Sequence, residues 1–334
     1  MNNPILFPFE QYWWFYAAFT LFVLAMLALD LGLFHRKSHK ITLRESTIWT
    51  IVWIALAGIF NAGLYFWASS QVGPEAARTV SLEFLAGYLI EKALSVDNIF
   101  VFVVVFSYFN IPGLYHHRVL FYGILGALVF RALFIAAGAA LFQYHIVVWI
   151  FGILLIVTGV KMMIKPEKHV EPDKNPMVRL FRRFIPVTDE LQGERMLVYR
   201  HGRYWATPLL LCLFFVEFTD VIFALDSVPA IFALTREPLI VFTSNIFAIL
   251  GLRSLYFVLA GAVEKFHLIH YGLSLVLVFV GLKMVWLNPA FDGKFPIGIS
   301  LAIIATLIGG SAGLSLLFPK KETEPLVTRQ DEAA

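Results

Sequence analysis

The sequence predicts an all-α fold: a polytopic membrane helical bundle of about nine spans, forming a single membrane domain over 1–334. Three observations predict it. Hydrophobic residues make up 59% of the 334-residue chain and charged residues only 15%, against about 25% charge in soluble chains. Mean hydropathy is +0.77. The apolar residues fall in continuous runs of about twenty, the length a helix needs to cross a bilayer. This composition excludes a soluble globular enzyme, a disordered chain and a nucleic-acid binder.

The runs are Tyr12–Phe34, Ile48–Trp67, Leu82–Phe109, Val119–Phe142, Ile146–Ile164, Thr207–Leu234, Leu239–Val263, Ile269–Trp286 and Ile297–Phe318. Backbone in lipid must satisfy its own hydrogen bonds, which leaves helices or closed barrels. A barrel needs alternating segments of about ten residues, and these runs do not alternate. The first run is long, lacks a basic leader and is followed by no small-residue cleavage site, so it reads as a span and not as a cleaved signal. The single cysteine, Cys212, lies within an apolar run. That excludes a disulfide framework, an iron–sulfur cluster and a thiolate metal site.

Positive charge sets the orientation. With the N-terminus outside, 18 of the 26 lysines and arginines fall on inside segments, five lie within spans, and only Arg78, Arg236 and Lys294 lie outside. The prediction is N-out and C-in, in a bacterial inner membrane. The polar stretch 165–206 is then a cytoplasmic linker with a surface-lying piece around Val178–Ile185, and 319–334 a cytoplasmic tail.

The third to fifth spans match the sixth to eighth, giving repeat 1 over 82–164 and repeat 2 over 207–286. Glu91 and Asp97 answer to Asp220 and Asp226, Arg131 to Arg253, and Gly159-Val-Lys161-Met to Gly281-Leu-Lys283-Met. The arginine-to-lysine separation is 30 residues in both halves; the acid-to-arginine separation is 34 in one and 27 in the other. Three helices is an odd number, so the second copy enters the membrane from the opposite side. Many secondary transporters use such inverted repeats.

Charges at mid-bilayer cost roughly 2.5–3.5 kcal/mol each on insertion scales, so they must face a polar interior and find partners. Lys161 and Lys283, near span ends, read as snorkelling anchors; the role of Lys92 stays open. Arg131 and Arg253 lie mid-span and read as supporting charge for carboxylates. Glu91, Ser95 and Asn98 share one helical face, as do Glu217 and Asp220. Asp97 and Asp226 point away from those faces on straight helices. Pro229 suggests a kink beside Asp226 that frees the carbonyl of Leu225. The candidate metal ligands are Asp97, Asn98, Asp226 and Ser227, with one or more of Glu91, Glu217 and Asp220. All are hard oxygen donors, and no histidine is central in a span. Such a set suits Mg²⁺, Ca²⁺ or Mn²⁺ over zinc or copper. Structural ion pairing is the competing explanation of the same charges.

YLIEKALSVDNIFVF at 88–102, VEFTDVIFALDSVPAIFA at 216–233, TSNIFAILGLRSLYF at 243–257 and the LALDLGLFHRKSHK exit from the first span closely resemble the TerC family of integral membrane proteins. The resemblance covers nearly the whole chain. It implies manganese export and metalation of secreted enzymes, with Mn²⁺ bound by carboxylates in Glu91–Asn98 and Glu217–Ser227. The expected function is a secondary transporter exporting a hard divalent cation, most readily Mn²⁺ (Ca²⁺ and Mg²⁺ stay open). No prosthetic group, enzymatic activity or nucleic-acid partner is expected. The phosphate-loop pattern G-x-x-x-x-G-K-[ST] is missing, which argues against ATP drive. The G-x-G-D pattern of intramembrane aspartyl proteases is missing too. A membrane partner protein acting in stress resistance or metalation, without moving ions, is the alternative.

Overall fold

A computed structural model describes residues 5–34, 42–164, 176–188, 190–200, 202–260, 267–291 and 295–318. The tail at 319–334 and the linker's first part at 165–175 lie outside the described residues, as do the side chains of Asp30 and Asp97.

The protein is an all-α polytopic membrane protein. Its helices are α1 (Phe9–Phe34), α2 (Leu43–Val72), α3 (Pro74–Tyr108), α4 (Gly113–Leu141), α5 (His145–Ile164), α6 (Pro176–Phe184), α7 (Pro208–Phe232), α8 (Pro238–Leu250), α9 (Leu252–Leu259), α10 (Ile269–Leu282), a short α11 (Asn288–Ala290) and α12 (Ile297–Leu317). A two-stranded antiparallel hairpin, β1 (Leu197–Arg200) and β2 (Arg203–Ala206), precedes α7. Seven helical segments among the described residues are long and apolar enough to cross a membrane, or eight if α8 and α9 form one bent span. A count of nine adds α3. That helix spans about 52 Å at 1.5 Å per residue, but Glu91, Lys92 and Asp97 interrupt its apolarity.

Local chemistry explains the boundaries. Thr42 caps α2 by accepting the N–H of Glu45 at 3.3 Å. Gly73 alone joins α2 to α3; its φ of 86° is in the region that only glycine adopts cheaply, and Pro74 starts the next helix without a wasted donor. The second and third spans therefore form a tight hairpin, with α2 reaching beyond the apolar run that marks it in sequence.

Two expectations are corrected. The helix α7 continues through Pro229 to Phe232, so no chain break frees the segment beside Asp226. The sharp bend lies instead between α8 and α9, where the axes turn by 42° at Gly251. Lys283 does not snorkel: it is only 2% exposed and opens a π-helical stretch, Lys283–Leu287. Lys161 is exposed. The surface piece of the linker is the helix α6, which docks on α7: Val178 is buried and the Phe181 ring packs 4.7 Å from that of Phe214.

The centre of the bundle is built by α3, α4, α5, α7, α8 and α10. There α3 packs on α8, α4 on α7 and α5 on α10, while α2 covers α3. Glycines permit the α5–α10 approach. A Cβ on Gly159 would lie 2.6 Å from the carbonyl oxygen of Ser274, and one on Gly281 2.6 Å from that of Gly152.

Candidate functional site

Four helices bring polar side chains to one buried point. Arg131, on α4, is 1% exposed. Its Nη1 donates to Glu91 Oε1 on α3, to Asn245 Oδ1 on α8 at 3.0 Å and, more weakly, to Ser227 Oγ on α7 at 3.4 Å. Its Nη2 donates to Asp220 Oδ1 on α7 at 3.2 Å. The amide Nδ2 of Asn245 donates to Glu91 Oε2 at 3.3 Å. Glu91 and Asn245 are fully buried, Ser227 and Asp220 nearly so. An isolated charge at such depth is prohibitive, so one planar guanidinium serving two carboxylates is the economical solution.

Glu217 lies on α7 one turn before Asp220. Its carboxylate lies against Gly126 of α4, filling the space a side chain there would need. Two carboxylate oxygens on this stretch of α7 are buried with no hydrogen-bond partner: Glu217 Oε2 and Asp220 Oδ2. Asp220 also borders a small void lined by Gly123, Ala127, Phe102 and Leu252. Glu91 and Asp220 thus share one guanidinium, a formal surplus of one negative charge, with the Glu217 carboxylate one turn from Asp220 along α7.

The remaining predicted residues divide. Ser95 and Asn98 continue the buried polar face of α3 beyond Glu91, and Ser95 Oγ has no partner. Asp226 faces elsewhere: Thr158 of α5 offers its hydroxyl at 3.5 Å. Arg253 is buried on α9, while the guanidinium on the two acids is that of Arg131. Lys92 donates to the carbonyl of Ala248 at 3.2 Å, near the bend. Gly251 allows this, since a Cβ there would lie 2.6 Å from Lys92 Nζ. Among the predicted ligands whose side chains are described, Asp226 therefore does not meet the Arg131 group. Among the described residues no group of three or more His, Cys, Asp or Glu side chains is arranged to hold a metal ion.

Sequence reasoning passed over two further buried acids. Glu83, inside the third apolar run, accepts the hydroxyl of Thr235 at 2.5 Å. Glu237 accepts the backbone N–H groups of Leu6 at 2.7 Å and Phe7 at 3.1 Å, tying the start of the chain to α8. The position of Glu83 within an apolar run was a usable signal; that of Glu237, between spans, was not.

Residues 76–323 match the integral membrane protein TerC family. The chain is 52% identical over 303 residues to an uncharacterized membrane protein of Myxococcus xanthus, covering 90% of this chain and 92% of the relative. Two relatives bear the name "Putative membrane-bound redox modulator Alx". The one in Photorhabdus laumondii is 45% identical over 295 residues, covering 88% of this chain and 91% of the relative. The one in Escherichia coli K12 is 44% identical over 291 residues, covering 86% and 90%. No solved structure matches the chain.

Proposed function

This chain belongs to the TerC family of integral membrane proteins, and on that premise we propose that it is a secondary transporter exporting a hard divalent cation, Mn²⁺ before Ca²⁺ or Mg²⁺. One observation carries the reading: the buried oxygens Glu217 Oε2 and Asp220 Oδ2 have no hydrogen-bond partner, at and beside a carboxylate pair with surplus negative charge. Unsatisfied buried polar atoms are rare in folded proteins and call for an ion, a water or a proton. Hard carboxylate oxygens favour a hard cation. Asn98 and Ser227 lie on the same buried faces and can add neutral oxygens. The orientation supported by the basic linker is N-out and C-in in an inner membrane, which makes export the direction from the linker's side.

The test is flux of labelled Mn²⁺, Ca²⁺ and Mg²⁺ into proteoliposomes, with and without a pH gradient. Saturable Mn²⁺ flux that disappears in Asp220→Asn supports the proposal; no flux of any divalent ion defeats it. The second reading, a membrane partner without transport, draws on the Arg131 clamp, which already engages both Glu91 and Asp220. The redox role in the relatives' name has no thiol pair to act through here, because Cys212 is the chain's single cysteine and is buried.

A further inference from the structure

The two halves of the centre touch reciprocally. A shift of 122 residues carries Arg131 onto Arg253 and Lys161 onto Lys283. The same shift carries the contact of Gly159 with Ser274 onto that of Gly281 with Gly152, and the two approaches are equally close. Between α3 and α7 the shift is 129, carrying Glu91 onto Asp220. Under these shifts the packing of α3 on α8 exchanges with that of α7 on α4. A two-fold relation between halves produces this pattern.

The two ends break the symmetry. At the end carrying the α3–α4 loop, Val103 of α3 and Ala260 beyond α9 line a cavity of about 660 Å³, with Phe106, Ser107 and Tyr256. Their counterparts at the opposite end are Phe232 and Gly138. There the surfaces are shut: a Cβ on Gly138 would lie 2.7 Å from the Phe232 ring. The counterpart of Phe106 is Thr235, which is bonded to Glu83. The helices differ in the same sense. The helix α4 runs unbroken through Arg131, whereas α8–α9 bends by 42° two residues before Arg253.

We propose that the two halves exchange these conformations. In the opposite-facing state Val103 closes on Ala260, Phe232 leaves Gly138, α4 bends as α8–α9 straightens, and Arg253 replaces Arg131 between Glu91 and Asp220. The inference rests on the transporter reading of the same site and supplies its moving parts. Arg131 and Arg253 become positioning residues, each holding the shared acids in one of two states. Between those states the acids lose one guanidinium before gaining the other, and a bound cation compensates their charge during the passage.

The experiment uses double-cysteine variants with Cys212→Ala, in native membranes treated with a short bifunctional thiol reagent. Both the Val103→Cys/Ala260→Cys pair and the Gly138→Cys/Phe232→Cys pair should cross-link, each reporting one state. Adding Arg131→Gln should raise the first yield and lower the second several-fold; Arg253→Gln should do the reverse. A second readout leaves Gly138 untouched: labelling of Ser107→Cys by a membrane-impermeant maleimide should fall with Arg131→Gln and rise with Arg253→Gln. The proposal is overturned if the Val103/Ala260 pair never cross-links, or if both arginine variants shift the yields the same way. Cross-linking needs no cargo. An intact exchange without flux would therefore sink the transport reading alone, and flux without the exchange would sink this one alone.

Discussion

Glu91 and Asp220, which the sequence pattern aligns with each other, share one arginine and are solvated by the protein quite differently. Both oxygens of Glu91 are used, one by Arg131 and one by the amide of Asn245. Asp220 uses only Oδ1; its Oδ2 is buried without a partner. The facing helix explains the difference. The residue corresponding to Asn245 is Gly123, 122 positions earlier, and Gly123 lines the void beside Asp220. One half has completed its polar site with protein. The other has left room, with Glu217 one turn away. On the transport reading proposed above, Glu91 would hold the core and Asp220, with Glu217, would meet the cargo.

The largest effect should come from removing what the two acids share. Arg131→Met leaves two carboxylates in the core without their guanidinium, and breaking a buried pair in this way costs about 3–5 kcal/mol. Thermal unfolding in detergent should show a large fall in stability; a midpoint equal to that of the unmutated protein would mean that Arg131 does not hold the pair. The next effect separates the two acids. Asp220→Asn should reduce Mn²⁺ flux at least about tenfold, each tenfold step being about 1.4 kcal/mol, with a smaller loss of stability. Glu91→Gln should do the opposite, lowering stability more and flux less. Equal losses in both variants would erase the distinction drawn between them.

Supplying the missing amide sharpens the comparison at smaller amplitude. A Cβ on Gly123 would meet only Val216, at an ordinary 3.4 Å. Gly123→Asn sets an amide on the wall of that void, where it can give Asp220 Oδ2 the partner that Asn245 gives Glu91. A typical buried hydrogen bond adds about 1 kcal/mol, so stability should hold or rise while flux falls several-fold. Unchanged flux would place the cargo somewhere other than the void.

Much of this was legible before any coordinates. Apolar run length fixes spans because lipid offers the backbone no partners, and charged residues within those runs must face inward. That logic finds Glu91, Arg131 and Asp220, which meet in the fold. Spacing along single helices cannot say which helix faces which. It therefore missed that Arg131, Glu91, Asp220 and Asn245 share one point, and that Asp226 does not. Pro229 was misleading: a proline in the last turns of α7 removes one hydrogen bond without ending a helix that its neighbours hold in place. The bend at Gly251 had only a glycine to announce it, and that glycine is explained by Lys92 from another helix. Lys283 is buried at the start of a π-helical stretch, and residue spacing announces neither. The hairpin β1–β2 sits in a polar linker where charge and proline obscure its short alternation.

The smallest effect expected among the acids is at Asp226, and it is the most discriminating. By sequence it is the counterpart of Asp97 and stands beside Ser227, which argues for a role equal to that of Asp220. In the fold it points to α5, where the Thr158 hydroxyl lies 3.5 Å from Oδ1, away from Arg131 and the two carboxylate oxygens without partners. Asp226→Asn keeps an oxygen for Thr158 and removes a charge that no guanidinium in the central group balances. Stability should change by less than about 1 kcal/mol, and Mn²⁺ flux by less than in Asp220→Asn under the same gradient. If Asp226→Asn abolishes flux while Asp220→Asn spares it, the cargo path runs between α5 and α7, and the centre around Arg131 is scaffold.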